Sequence, residues 1–244
     1  MKHFALLVIS TLTLSACTMP DTSSHGHSGS GKMEQLNVRD MSSDTEISFV
    51  VLDNKTVFEN YGISHTKEMH LIVVRDDLQY FHHLHPLRDT NNIWHVPFTA
   101  PAGGTYWLYA DFVDSDGSAH TIKFNKLFTG DRGTYGLEQN FERTQAVDGH
   151  HITLATADTN TDISFSYNIT KNGKPVELQE YLGAIGHSVL ISDSGSFIHA
   201  HATINASGNP QFIVGKLEED FYRAFTQFQI AEKVLTVSFD WSNQ

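Results

Sequence analysis

Short apolar runs recur along the chain, and turn-forming residues interrupt them at regular intervals. Ile47–Val51, Ile163–Tyr167, Tyr106–Phe112 and Val234–Trp241 are rich in β-branched and aromatic side chains, which suit a pleated, half-buried surface. Turns are marked at Pro101–Gly104, Asp114–Gly117, Asn172–Gly173 and Ser207–Pro210. Long amphipathic helical periods are missing. The best helical stretch, Lys216–Tyr222, is short and falls where a loop precedes a strand elsewhere in the chain. This pattern predicts an all-β chain built from Ig-like antiparallel β-sandwiches.

The pattern also repeats. Shifted by about 116 residues, the chain matches itself: Leu36–Val38 falls on Ile152–Leu154, Thr45–Phe49 on Thr161–Phe165, and Phe81–His85 on Phe197–His201. Tyr106, Tyr109 and Phe112 fall on Tyr222, Phe225 and Phe228, and Thr121–Phe124 falls on Thr236–Phe239 after one residue of slippage. Agreement at nearly one offset indicates a duplicated domain. The boundaries we expect are one repeat over 34–130, a polar linker over 131–149 and a second repeat over 150–244. Each repeat is small but long enough for one core.

The N-terminus departs from this alternation. A cationic start, Lys2 and His3, precedes the apolar run Phe4–Leu14 and then Ser15–Ala16, the layout of an export signal. The run is too short for a spanning helix, which needs ~20 residues. Leu14-Ser15-Ala16-Cys17 matches a bacterial lipobox, and Cys17 is the only cysteine in the chain. The expectation is a signal peptide over 1–16, lipidation of Cys17, and a Ser/Gly-rich tether over 17–33 with a reach of about 20 Å. In a bacterium with two membranes, Thr18 after the cysteine points to the outer membrane facing the periplasm; otherwise the chain faces the cell surface. A lipidated Cys17 leaves no disulfide, so stability must come from burial.

Composition adds two constraints. Loss of Lys2 with the signal leaves 15 basic residues against 28 acidic ones, a net charge of −13, which argues against nucleic acid and anionic lipid as partners. The chain has 15 histidines, all but His3 beyond the cleavage site. Histidine is the commonest metal ligand.

The histidines cluster at equivalent places. Met69–Pro86 reads as two apolar strands around a loop at Arg75–Leu78. A turn centred on Asp76–Asp77 sets His70 directly across from His83, and His85, two residues on, shares their face. His82 points the other way. In the second repeat a turn centred on Asp193 sets His187 across from His199, with His201 again on the same face. Val189, Ile191 and Phe197 lie on that face too, so the triads are expected to extend the core-facing side of each sandwich at its edge. Three imidazoles converging on one ion favour Cu(II), Zn or Ni over hard cations, copper most tightly. Weaker candidates are Met69, whose thioether suits Cu(I) but points to the opposite face, His120, and the tether residues His25 and His27. His65 reads as a loop residue, and His150–His151 as solvated.

Other chemistry finds little support. A cupin places a Glu a few residues after its His-x-His, and neither Pro86–Thr90 nor Ala202–Ala206 supplies one. Gly-x-Ser-x-Gly, phosphate-loop and His-Glu-x-x-His motifs are missing. No enzyme is therefore expected, and the rival reading is a metal-free module that binds an envelope protein by strand addition. The stretches Met69–Leu71, Phe81–Pro86, Tyr181–His187 and His199–His201 resemble a poorly characterised family of bacterial secreted proteins and lipoproteins. Its members pair a Met-His-Leu…His-Leu-His-Pro half with a Tyr-Leu-Gly-Ala-x-Gly-His…His-x-His-Pro half. The resemblance implies an exported β protein with a copper or heavy-metal connection, although Ala202 stands where the family has its second Pro. Together these readings predict a membrane-anchored lipoprotein that binds copper or zinc for buffering, storage or transfer to an envelope partner.

Overall fold

A computed structural model describes residues 36–243. Cys17, His25 and His27 lie outside the described residues. Within them the chain forms strands and turns and no helix. The first half contains β1 (Leu36–Asp40), β2 (Glu46–Asp53), β3 (Thr56–Val57), β4 (His70–Arg75), β5 (Phe81–Leu84), β6 (Leu87–Arg88), β7 (Trp94–Pro97), β8 (Gly104–Val113) and β9 (Ala119–Phe128). The second contains β10 (Thr144–Val147), β11 (His150–Asp158), β12 (Asp162–Lys171), β13 (Lys174–Pro175), β14 (His187–Ser192), β15 (Phe197–His201), β16 (Thr203–Ile204), β17 (Pro210–Gly215), β18 (Phe221–Ile230) and β19 (Lys233–Ser242). β10 falls inside the stretch expected to be linker and pairs with β11.

Each half is an antiparallel sandwich of Ig-like topology. A sheet of order β1-β2-β7-β6 faces one of order β5-β4-β8-β9, and β11-β12-β17-β16 faces β15-β14-β18-β19 in the same way. Alternate residues fill the space between them: Ile47, Phe49, Leu71, Val73, Leu108 and Phe112 in the first half, Ile163, Phe165, Leu190, Phe212, Ala224 and Phe228 in the second. Tyr106, near the start of β8, donates from its hydroxyl to the Ala102 carbonyl at 2.9 Å, the tyrosine corner of Ig-like domains.

The opposite faces of β4 and β14 are buried as well, and this overturns one expectation. Val189 and Ile191, with the histidines beside them, do not face their own sandwich core. With Phe225 of their own sheet they form a second apolar layer that packs against Ile72, Val74, Leu78 and Tyr109 of the first half. That layer joins the β5-β4-β8-β9 sheet of one half to the β15-β14-β18-β19 sheet of the other. Its aromatic contacts are reciprocal: Phe81 stacks on Phe225 and Phe197 stacks on Tyr109, both with ring centroids 4.6 Å apart. Positions equivalent by duplication thus exchange partners, as in an isologous dimer fused into one chain. The unbroken apolar run Leu71–Val74 of β4, buried at every position, reflects burial on both sides.

The linker is held by two buried arginines. Arg75 pairs with Asp77 and donates to the carbonyls of Arg132 and Thr134. Arg223 pairs with Asp240 and donates to the carbonyls of Leu78 and Glu138, tying the first-half hairpin and the linker to β18.

Candidate metal centre

The triads occupy the rim of this inter-half layer. His70 and His187 begin β4 and β14; His83 lies in β5 with His85 just past its end, and His199 and His201 lie in β15, each pair at alternate positions. The register differs from expectation by two residues in both hairpins. Ile72 pairs with His83 and Leu71 with Leu84; in the second half Val189 pairs with His199, and His187 faces His201 directly. The cause lies in the turns. The first loop is longer: Asp77 accepts from the Arg75 side chain and the Gln79 N–H, with Leu78 at φ 58°. The second closes on Ser192 with Gly195 at φ 86°, a loop with one left-handed residue. A slip of two preserves the strand face, so the same three histidines still meet.

Each triad presents three nitrogen donors within 4.8 Å of one another. Four of the six rings, two in each triad, are oriented by a hydrogen bond at the far side. His70 donates from Nε2 to the Ser64 carbonyl at 3.1 Å, and His187 from Nε2 to the Tyr181 carbonyl at 2.7 Å. His83 donates from Nδ1 to Gln227 Oε1 at 3.0 Å, and His199 from Nδ1 to Asp111 Oδ2 at 2.8 Å. These bonds fix the tautomers, leaving lone pairs on Nδ1 of His70 and His187 and on Nε2 of His83 and His199. His70 Nδ1 and His83 Nε2 then confront each other lone pair to lone pair at 3.0 Å. In the other triad, Nδ1 of His187 and Nε2 of His199 and His201 are buried without any partner, as is Nε2 of His85. Converging, desolvated lone pairs are costly in a protein alone and are what a cation satisfies.

The electrostatics agree. Burial, reinforced by the neighbouring imidazoles, lowers His70 to about 4 and both His85 and His187 to about 3. His83 and His201 are pushed down for the same reasons. These rings are neutral at pH 7, the form that ligates metal. Burial alone would raise the Asp111 carboxyl, but hydrogen bonds from His199 and Thr121 outweigh it and hold the group below its usual range.

The two triads adjoin. Ring centroids of His70 and His199 are 5.7 Å apart, as are those of His83 and His199, and His83 lies 5.9 Å from His187. Beside them is a cavity of about 20 Å³ lined by Ser64, His70, Asp111, Thr121, His199 and His201, room for roughly one water.

Three participants escaped the sequence reading. Asp111 and Gln227 sit at equivalent places on β8 and β18, each opposite the first histidine of its own half yet bonded to a histidine of the other half. Their only signal was a polar residue at equivalent places in the two repeats, Asp111 between Ala110 and Phe112 and Gln227 between Thr226 and Phe228. His65, which has no counterpart histidine, stacks on His201 of the other half with centroids 3.5 Å apart. Two weaker candidates are placed elsewhere. Met69 is buried in the first sandwich core, and His120 contacts Asp114 at 3.0 Å away from the triads. His150, expected to be solvated, is buried.

Fold and site together define an all-β protein of two fused Ig-like sandwiches with a histidine-lined seam. The chain belongs to the family described as a domain of unknown function, DUF8832, which it matches in two parts, residues 32–128 and 145–244. No curated protein matches the chain. Among solved structures it is similar to a tetra-tandem repeat from the extending region of a large adhesion protein, at 14% identity and a TM-score of 0.29 over 86% of this chain. The chain spans 49% of that structure, about half its length. It is also similar to a two-domain fibronectin type III segment of chicken tenascin, at 11% identity and a TM-score of 0.26, covering 85% of this chain and 97% of that one. A third likeness is to a putative membrane-anchored protein of Corynebacterium diphtheriae, at 10% identity and a TM-score of 0.26, covering 86% and 59%.

Proposed function

We propose that this protein is a lipid-anchored envelope protein that binds a transition metal ion at its histidine seam, copper before zinc, and buffers it or hands it to an envelope partner. The observation that carries this reading is the set of ring nitrogens converging within each triad, with two of its three rings oriented from behind by a carbonyl, amide or carboxylate oxygen. Neutral imidazoles without thiolates suit Cu(II), Zn or Ni, and copper ranks first among divalent ions. Met69, turned into the sandwich core, contributes no thioether here. The water-sized cavity beside the rings suits an ion and its exchange more than the turnover of an organic substrate. The lipobox at Cys17 supports the anchor.

The test is metal analysis of the purified chain, then Cu(II) and Zn(II) titration of the wild type and of His83→Ala/His85→Ala and His199→Ala/His201→Ala. Stoichiometric binding, lost stepwise in the two double variants, is the expected result. Absence of tight binding in the wild type defeats the reading. Capture of one envelope protein by the quadruple variant without metal would instead support an interaction module.

A further inference from the structure

The triads are copies in their donors but not in their surroundings. At one pair of equivalent positions, Asp111 puts a carboxylate behind His199, whereas Gln227 puts a neutral amide oxygen behind His83. At another, His65 (φ 47°) and Leu182 (φ 52°) occupy the same left-handed position of matching turns, closed by paired hydrogen bonds between Ser64 and Lys67 and between Tyr181 and Ala184. His65 lies flat on His201; its equivalent is an aliphatic side chain. Both differences fall on the same triad, and both are supplied to it by the first half.

We propose that the two triads form one paired centre spanning the two halves, in which His187, His199 and His201 take the first ion and hold it tightly, while His70, His83 and His85 form the exchangeable second site. This rests on the metal-binding reading above and adds an order to it. A carboxylate hydrogen-bonded to the far nitrogen of a ligating imidazole makes that ligand more basic and brings a negative charge to a cation in a poorly solvated place; such outer partners change affinity by about 10–100-fold. Gln227 orients His83 equally well but brings no charge. The rings of the two triads are within 6 Å of each other. An ion in one therefore repels an ion arriving at the other through little intervening solvent, which widens the gap between the two affinities. A tight site beside a loose one is an arrangement suited to handover: the first ion keeps the seam filled and the second is released to a partner.

The experiment is a competitive Cu(II) titration of the full chain against a chromogenic chelator, followed by electron paramagnetic resonance. Wild type should bind two ions with affinities at least tenfold apart. The first equivalent should give an isolated Cu(II) spectrum, and the second should broaden it through coupling between neighbouring ions. His199→Ala should remove the tight phase and His83→Ala the loose one. Asp111→Asn should weaken the tight phase about 10–100-fold and spare the loose one, and Gln227→Glu should strengthen the loose phase until the two converge. Two equal phases in the wild type, or no strengthening in Gln227→Glu, overturn the proposal while leaving metal binding intact. Gln227→Glu also decides the matter alone should Asp111→Asn not fold. No binding by the wild type fails the underlying reading instead.

Discussion

A buried imidazole is a proton-linked group, and its behaviour follows from what surrounds it. His70 is lowered to about 4 in the folded protein against an ordinary value of 6.5, so between those limits the unfolded chain binds a proton that the folded chain refuses. Stability of the metal-free protein is therefore full above about pH 6.5 and falls as the pH drops towards 4, by on the order of 3 kcal/mol for His70 alone. His85 and His187 act in the same direction. We expect the melting temperature of chelator-treated protein to fall steeply from pH 7 to 4.5, and His70→Ala to flatten that dependence. A pH-independent melting temperature contradicts the burial assigned to these rings. Bound metal should shift the loss of stability to lower pH, because protons must displace the ion before they reach the nitrogens. The triad residues themselves were legible in the sequence, since alternate positions of a strand share a face whatever the register. Their oxygen partners were not, because Asp111 and Gln227 act across the seam on the other repeat.

At the scale of elements, turn chemistry decides register. Asn172–Gly173 adopts the paired left-handed conformation its sequence announces, with φ of 52° and 74°. The hairpin between β18 and β19 adopts the same turn with Ala231 and Glu232, at φ of 48° and 64°, between the paired Ile230 and Lys233. Neither residue type favours that region, and nothing in the sequence marks the turn. Replacing both, Ala231→Asn with Glu232→Gly, should raise stability by about 1 kcal/mol, measured as a higher urea midpoint. The Glu232 N–H bond to Gln179 is a backbone contact and survives the change. The two histidine hairpins show the converse limit. Loop length there depends on bonds that the Asp77 and Ser192 side chains accept from the Gln79 and Ser196 N–H groups, which hydrophobic alternation does not encode, so the pairing settles two residues from its expected place.

At the scale of the molecule, the seam is as much a core as the two sandwich interiors. Phe225 is buried in it, stacked on Phe81, and a charge there has no partner. Phe225→Asp should leave both sandwiches folded, with an unchanged far-ultraviolet circular dichroism spectrum, while separating the halves and enlarging the radius of gyration in X-ray scattering. It should also weaken the tighter metal phase, since Asp111 and His65 reach the second triad only when the halves are docked. A more expanded chain with an unaltered metal titration would show that the seam contributes nothing to the site.

The local pattern along the chain was sufficient for the all-β class, the duplication and the two sets of three histidines, because strand period, turn formers and repeat offset are properties of neighbouring residues. It could not say which side of β4 and β14 faces solvent, because a strand apolar on both faces reads alike whether its second face meets its own domain or another. Only the docking of one sheet on the other decided that. It turned the histidine faces towards each other, brought Asp111, Gln227 and His65 to rings more than 80 residues away, and converted two separate triads into one asymmetric seam.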